Sequence, residues 1–467
     1  MARHPRTEAA DLLEVRILFW FRKDLRLSDN VGLHQASLDG DVVPFYASEP
    51  SLLARPDIAP TRVRFVLEAL ARLASECERA GSSLALDHGE AVATVLRAAQ
   101  ACKADAVYWN DEYEPSLRAR DDAVERVLRG AGVRVRRFHD RLLVPPGMVL
   151  NKAGEPFVIY TPFKKACEAL PLATPVPAVT QLLPHALPEK PLATLQALGF
   201  EEPASTPWPG GDLESFLKEG LPRYEAERDL PAANASSRLS ADLKFGTVSP
   251  RTLAARALER GREARCVPSA AKFVSELRWR DFYAHVLYHF PHVEQGAFKR
   301  EYDALEWEGD PVFFDAWKEG RTGYPIVDAG MRELRATGYM HNRVRMIVAS
   351  FLTKDLLLDW RLGERHFMRE LVDGDLANNN GGWQWAAGTG TDAQPYFRIF
   401  NPVLQGEKFD LDGAYVKRWV PELANVPPKL VHKPWEAGLL AGDYPPRIVI
   451  HEDQRALALA MFGAVKT

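Results

Sequence analysis

The stretch NNNGGWQWAAGTGTDAQPYFR, residues 378–398, decides how this 467-residue chain is read. Three asparagines, a glycine pair and two tryptophans one residue apart lower the propensity for both helix and strand, so neither is predicted here. Gly381 and Gly382 instead predict a segment whose backbone can approach a ligand closely, because no Cβ intervenes. Just before it, LVDGDLANNN sets Asp373 and Asp375 on either side of Gly374. No histidine cluster or EF-hand spacing accompanies them. An arginine partner such as Arg345 is therefore expected, and no metal.

Working outward, SELRWRDFY puts Glu276, Trp279, Arg280 and Tyr283 at i, i+3, i+4 and i+7, on one helical face. Alone, that face is equally well an amphipathic surface with a Glu276–Arg280 pair. In HNRVRM, Asn342, Arg343 and Met346 fall on adjoining positions of another helix. Two polar and aromatic faces in one helical region suggest a shared cavity. Trp307, Trp360, Trp383 and Trp385 read singly as core aromatics. Together they suit one-electron oxidation or stacking on a flat base.

The N-terminal part differs. Runs such as VRILFWF, DVVPFYA and DAVYWND alternate with helical patterns such as TRVRFVLEALARLASECERA, which predicts a Rossmann-like α/β domain with a parallel sheet over 15–142. Its first turn, RKDLRLSDN, has no glycine where a dinucleotide fold carries GxGxxG, so the main cofactor site is expected elsewhere. A proline-rich linker over 143–205 and a larger all-α domain over 206–467 follow. Hydrophobic residues at 46% and charged residues at 26% fit a folded soluble chain without a membrane span. The first fifteen residues lack a signal-peptide core, which predicts the cytoplasm. The scattered Cys77, Cys102, Cys167 and Cys266 predict free thiols and no metal cluster. A net charge of −4, from 59 basic and 63 acidic residues, requires that any DNA site be a local patch.

The chain resembles the photolyase/cryptochrome flavoproteins over nearly its whole length, and most closely the bacterial cyclobutane pyrimidine dimer photolyases. The resemblance is carried by LFWFRKDLRLSDN, SSRLSADLKFGTVSP, SELRWRDFY, GYPIVDAGMRELRATGYMHNRVRM and DGDLANNNGGWQWAAGTGTDAQPYFRIFNP. It implies FAD, active as FADH⁻, folded into the helical domain. Around it the resemblance implies Tyr224, Ser236, Ser237, Arg238, Leu239, Ser240, Phe273, Arg280, Asn342, Arg345, Asp373, Gly374, Asp375 and Asn379, the last facing flavin N5. It implies a carbon–carbon lyase in which excited FADH⁻ lends an electron to a dimer flipped out of UV-damaged DNA. Trp279 and Trp385 would flank the lesion, Glu276 and Asn342 would hydrogen-bond it, and Met346 would pack on it. Arg228, Arg343 and Arg398 would hold phosphates. Trp383, Trp360 and Trp307 would form an electron wire to the surface. A monomer is expected.

The same resemblance admits a blue-light cryptochrome, a 6-4 photoproduct enzyme or a non-enzymatic flavin or DNA module. Asn379, where plant-type cryptochromes have an acid, and the non-histidine HNRVRM favour dimer repair. Asn110 and Glu114, in YWNDEYE, resemble antenna positions that help bind a folate, whereas Glu294 replaces a basic residue there. Methenyltetrahydrofolate, a deazaflavin, a second flavin or no antenna all stay open.

Overall fold

The computed structural model describes residues 15–188, 190–203, 210–393 and 395–465. β1 (Arg16–Phe21) is apolar without alternation because helices cover both faces of its sheet. Ile17, Phe19 and Phe21 enter one buried cluster with Leu70 and Leu73, while Leu18 and Trp20 enter another with Val95 and Leu128. β2 (Asp41–Ser48), β3 (Ala85–His88), β4 (Ala106–Asn110) and β5 (Arg134–Phe138) complete an all-parallel sheet in the order β3-β2-β1-β4-β5. Ile17 lies between Val42 and Ala106. The strand order reverses at β1, and in such sheets ligands bind beyond the carboxyl ends of the strands at this point.

The glycine-free turn after β1 has a structural task. Asp24 accepts from the Arg22 N–H at 2.6 Å and from Asn110 Nδ2 at 2.6 Å, and Asn30 caps the Val31–Asp39 helix. Arg26 pairs with Asp140 at 2.6 Å, and Arg251, from the helical half, pairs with Asp29 at 3.0 Å and Asp140 at 2.7 Å. All four charged groups are buried. The turn is thus a latch between the two halves of the chain.

Beyond residue 143 the chain runs back over the sheet domain: the Val179 N–H donates to the Leu27 carbonyl, and that of Leu183 to Val42. The segment also contains a helix, Tyr160–Glu168. The expected boundary at 205/206 lies outside the described residues. The rest is helical, built on the 23-residue Val267–His289 helix. Among the described residues no helix is long and apolar enough to cross a membrane.

The opening stretch corrects its own propensity, since Leu376–Ala387 is a helix. Asp375 caps it by accepting from the Asn378 N–H, and Gly388, at φ 85°, ends it in a left-handed turn. Its polar side chains have partners: Asn380 and Gln384 donate to the Val293 carbonyl at 2.9 and 3.2 Å, and Gln384 also bonds Asn380. Gly381 does not face a ligand. A Cβ there would overlap the ring of Tyr283, so this glycine serves the crossing of two helices. Gly382, by contrast, faces open space.

Candidate functional site

The Leu376–Ala387 helix packs against Val267–His289, Asn342–Ser350 and Trp360–Glu370, and Val267–His289 packs in turn against Tyr224–Glu227; the expected flavin recess falls among these elements and Ser240–Phe245. Among them Arg345 donates Nη2 to both carboxylate oxygens of Asp373 at 2.9 and 3.2 Å, the partner expected from the sequence. Asp375 lies 3.1 Å from Lys244 and 4.0 Å from Arg141. Burial pushes the Asp375 carboxyl up, but Lys244, Arg141 and Arg280 outweigh it and hold the group well below the usual carboxylate range. Lys244 also reaches Glu114 at 3.1 Å, so an acid of the sheet domain helps to fix the recess floor. The sequence reading missed Lys244. Its signal was a lysine on the same helical face as the buried Ala241 and Phe245.

Asn379 donates Nδ2 to the Glu364 carbonyl at 3.0 Å, which leaves Oδ1 as its acceptor for a partner on the other side. Beneath it, Glu364 accepts from Asn380 at 2.8 Å; burial raises its carboxyl to about 7, against the pull of that hydrogen bond. Arg280 donates to the carbonyls of Arg141 and Leu243 at 2.6 and 3.1 Å, so the Glu276–Arg280 pair of the amphipathic-surface alternative is not formed. Glu276 pairs with Arg228 at 2.8 Å instead, because tertiary proximity outcompetes spacing along the helix. Ser236 and Ser237 are half-buried, Arg238 sits at φ 54°, and Leu239 is buried. The Ser240 Oγ is buried with no hydrogen-bond partner.

Three of the expected residues have other contacts within the chain. Phe273 is core, at 5.5 Å from Tyr224 and 4.8 Å from Phe216, and its ring is spent on them. Gly374 is approached by the Arg62 guanidinium, on the sheet-domain side. Asn110 is buried with both amide hydrogens committed to Asp24 and Asn30, so it holds the turn after β1 and has no donor for an antenna.

At the recess rim, the Trp279 ring stacks on Tyr160, centroids 3.6 Å apart and 11° from parallel. Trp385 is half-buried. Asn342 is exposed, with its Nδ2 3.9 Å from Met346 Sδ. Arg343 pairs with Asp229 at 3.0 Å, and Arg398 is exposed in the loop beyond. Trp360 and Trp383 are buried in one cluster, and Trp307 packs against it half-exposed. A Cβ on Gly363 would overlap the Trp383 indole, so that ring lies directly on the helix headed by Trp360. Trp317, 6.1 Å from Trp383, is a further buried indole that the sequence reading did not single out. Among the described residues no group of histidine, cysteine, aspartate and glutamate could hold a metal ion.

A cavity of about 340 Å³ opens at the carboxyl ends of β1 to β4, the position the strand order predicts. Arg22, Lys23, Glu49, His88, Glu112 and Glu114 line its strand side, and Ile58, Val63 and Leu70 its apolar wall. Lys244 and Gly374 line it too, so it shares a wall with the recess.

Two family models match the chain: DNA photolyase over residues 17–181 and the FAD binding domain of DNA photolyase over 273–464. A deoxyribodipyrimidine photo-lyase of Synechococcus sp. is 42% identical, with 96% of this chain and 97% of that protein aligned. The crystal structure of a class III photolyase from Agrobacterium tumefaciens superposes with a TM-score of 0.89 at 41% identity, covering 98% of this chain and 99% of that one. An archaeal photolyase from Sulfolobus tokodaii, solved with two FAD molecules, gives 0.84 at 37% identity over 96% and 100%. The chain belongs to the DNA photolyase family.

The recess fits the dinucleotide this family model names. It offers a buried hydroxyl without a partner at Ser240, fixed cations at Arg280 and Lys244, and an amide oxygen at Asn379.

Proposed function

We propose that the protein is a deoxyribodipyrimidine photo-lyase that repairs cyclobutane pyrimidine dimers in DNA under blue light, with FAD in the helical recess. The observation that carries this reading is the pairing of one polar floor, Asp373–Arg345 and Asp375–Lys244 around Asn379, with a rim of Trp279, Glu276 and Arg228. When bound in its reduced form, the flavin supplies the light-driven electron. The residues supply the rest. Ser236, Ser237 and Ser240 with Arg280 would satisfy phosphate oxygens. Asn379, its Nδ2 tied to Glu364, would turn Oδ1 to the flavin N5–H and accept from it without protonating the ring as an acid would. An acid at that position could protonate the ring, so the amide favours repair over cryptochrome signalling. Trp279 and Trp385 would stack on the flipped dimer while Glu276 hydrogen-bonds it. Arg228, Arg343 and Arg398 would hold phosphates, contacts blind to sequence. Trp383, Trp360 and Trp307 would carry electrons inward from the surface.

A second chromophore in the 340 Å³ cavity is supported by its place at the strand-order reversal and by the archaeal relative with two FAD molecules. The apolar wall suits a planar ring, and Lys23 and Arg55 suit an anionic tail. A folate, a deazaflavin and a second flavin share that chemistry. The free thiols suit the cytoplasm, where a monomer would act.

The test is to illuminate the purified protein, chemically reduced, with dimer-containing oligonucleotide. Restoration of intact pyrimidines in light and not in darkness is expected, with FAD among the extracted chromophores. Flavin-loaded protein that leaves the dimers intact would overturn the assignment.

A further inference from the structure

The arginines offered to phosphate have acidic partners within the chain. Arg343 Nη2 reaches Asp229 Oδ1 at 3.0 Å, and Arg228 Nη2 approaches the same oxygen at 3.9 Å. Arg228 Nη1 turns to Glu276 at 2.8 Å, and Lys272 approaches Glu276 at 3.5 Å. A row of alternating charge therefore runs Lys272, Glu276, Arg228, Asp229, Arg343. Two guanidiniums that would repel one another share one anionic oxygen, the arrangement a phosphate oxygen would otherwise supply. The Arg343 guanidinium also lies over the Phe409 ring at 4.4 Å and is 16% exposed, whereas Asp229 is 35% exposed. The acid is thus the more exposed member of the pair.

We infer that Asp229 is a built-in competitor of the DNA phosphate and limits how tightly the enzyme holds DNA of any kind. The inference deepens the DNA-repair reading and rests on it. While no strand is present, the carboxylate holds both guanidiniums close together and keeps them in place. When a strand docks, it must release them and then lies beside a second anion, which repels it. That penalty is the same for damaged and undamaged DNA, because phosphate contacts carry no information about the lesion. It weakens unproductive residence on intact duplex, and dimer binding keeps the separate contacts of the recess.

The test is Asp229→Asn, which keeps the shape and removes the charge, with Asp229→Ser as a second variant in case the first fails to fold. FAD absorbance per protein reports folding. Both dimer-containing and undamaged oligonucleotides should bind about two- to fivefold tighter, the range set by losing one exposed ion pair. The ratio between the two should not change, and the salt slope should steepen by about one unit. Arg343→Ala is measured alongside. If it leaves affinity and slope unchanged, this face does not meet DNA and the underlying reading fails with the inference. If Arg343→Ala weakens binding but the Asp229 variants bind equally or more weakly, the carboxylate only orients the arginines and the inference alone is overturned.

Discussion

At the scale of single residues, we propose that the two tryptophans of GGWQW have different tasks. Two positions apart on a helix they point to opposite sides: Trp383 is buried on the helix that starts at Trp360, and Trp385 is half-buried. Trp383→Phe should abolish light-driven flavin reduction by an external donor, while protein reduced beforehand still repairs dimers. Trp385→Ala should photoreduce normally and lose about 1–3 kcal/mol of lesion affinity, the worth of one stacked base. Photoreduction rate, dimer affinity and melting temperature measured on both variants check this. A matched loss of stability with no functional divergence would return both residues to the core. The roles of these two residues came from the family resemblance, since by type and spacing alone each reads as a core aromatic. Lys244 and the Arg228–Glu276 pair were not legible, because their partners lie 131 and 48 positions away and no local pattern joins them.

Among the elements, the Tyr160–Glu168 helix matters more to the site than its place in an expected linker suggests. Its first residue stacks on Trp279, donates its hydroxyl to the Ser275 carbonyl at 2.6 Å and donates its N–H to Asp392 at 3.0 Å. One ring face of Trp279 is thereby occupied and its plane fixed. Tyr160→Ala should weaken dimer binding by about 1 kcal/mol, the range of an aromatic pair, with FAD retained. Tyr160→Phe should restore most of it, since the ring is kept. Equal loss in both variants would assign the effect to the hydroxyl. Periodicity could not reveal this helix as part of the site, because nine residues among prolines give little signal. The Leu376–Ala387 helix was misread for the opposite reason. Its asparagines and glycines are poor helix formers, and capping by Asp375, side-chain bonds to the 293–298 loop and the Gly381–Tyr283 crossing override them.

Across the whole molecule, the latch of Arg26, Asp29, Asp140 and Arg251 joins the sheet to the helical half. Removing one partner of a buried pair leaves an uncompensated charge, so Arg251→Ala should destabilise the protein by about 3–5 kcal/mol. Burial pushes Asp140 up, but Arg26 and Arg251 outweigh it and lower the carboxyl below its ordinary 3.8. The stabilisation is therefore complete above pH 3.8 and is lost as the pH falls below it. Tryptophan fluorescence followed during acidification should show the variant unfolding at a higher pH than the parent; coincident curves would mean that the latch carries no stability. The alternation of strand and helix made the sheet legible, whereas the latch needed the fold before its four charges could meet. The wall between the sheet-domain cavity and the recess has a last consequence. Lys244 touches Glu114 on one side and Asp375 on the other, so on the proposed placement of the two chromophores a guest that displaces Glu114 would perturb Asp375 on the flavin side. Binding free energies are reciprocal: whatever factor the antenna guest imposes on flavin affinity, the flavin must impose on the antenna guest. A cell short of one chromophore would then hold the other with altered affinity.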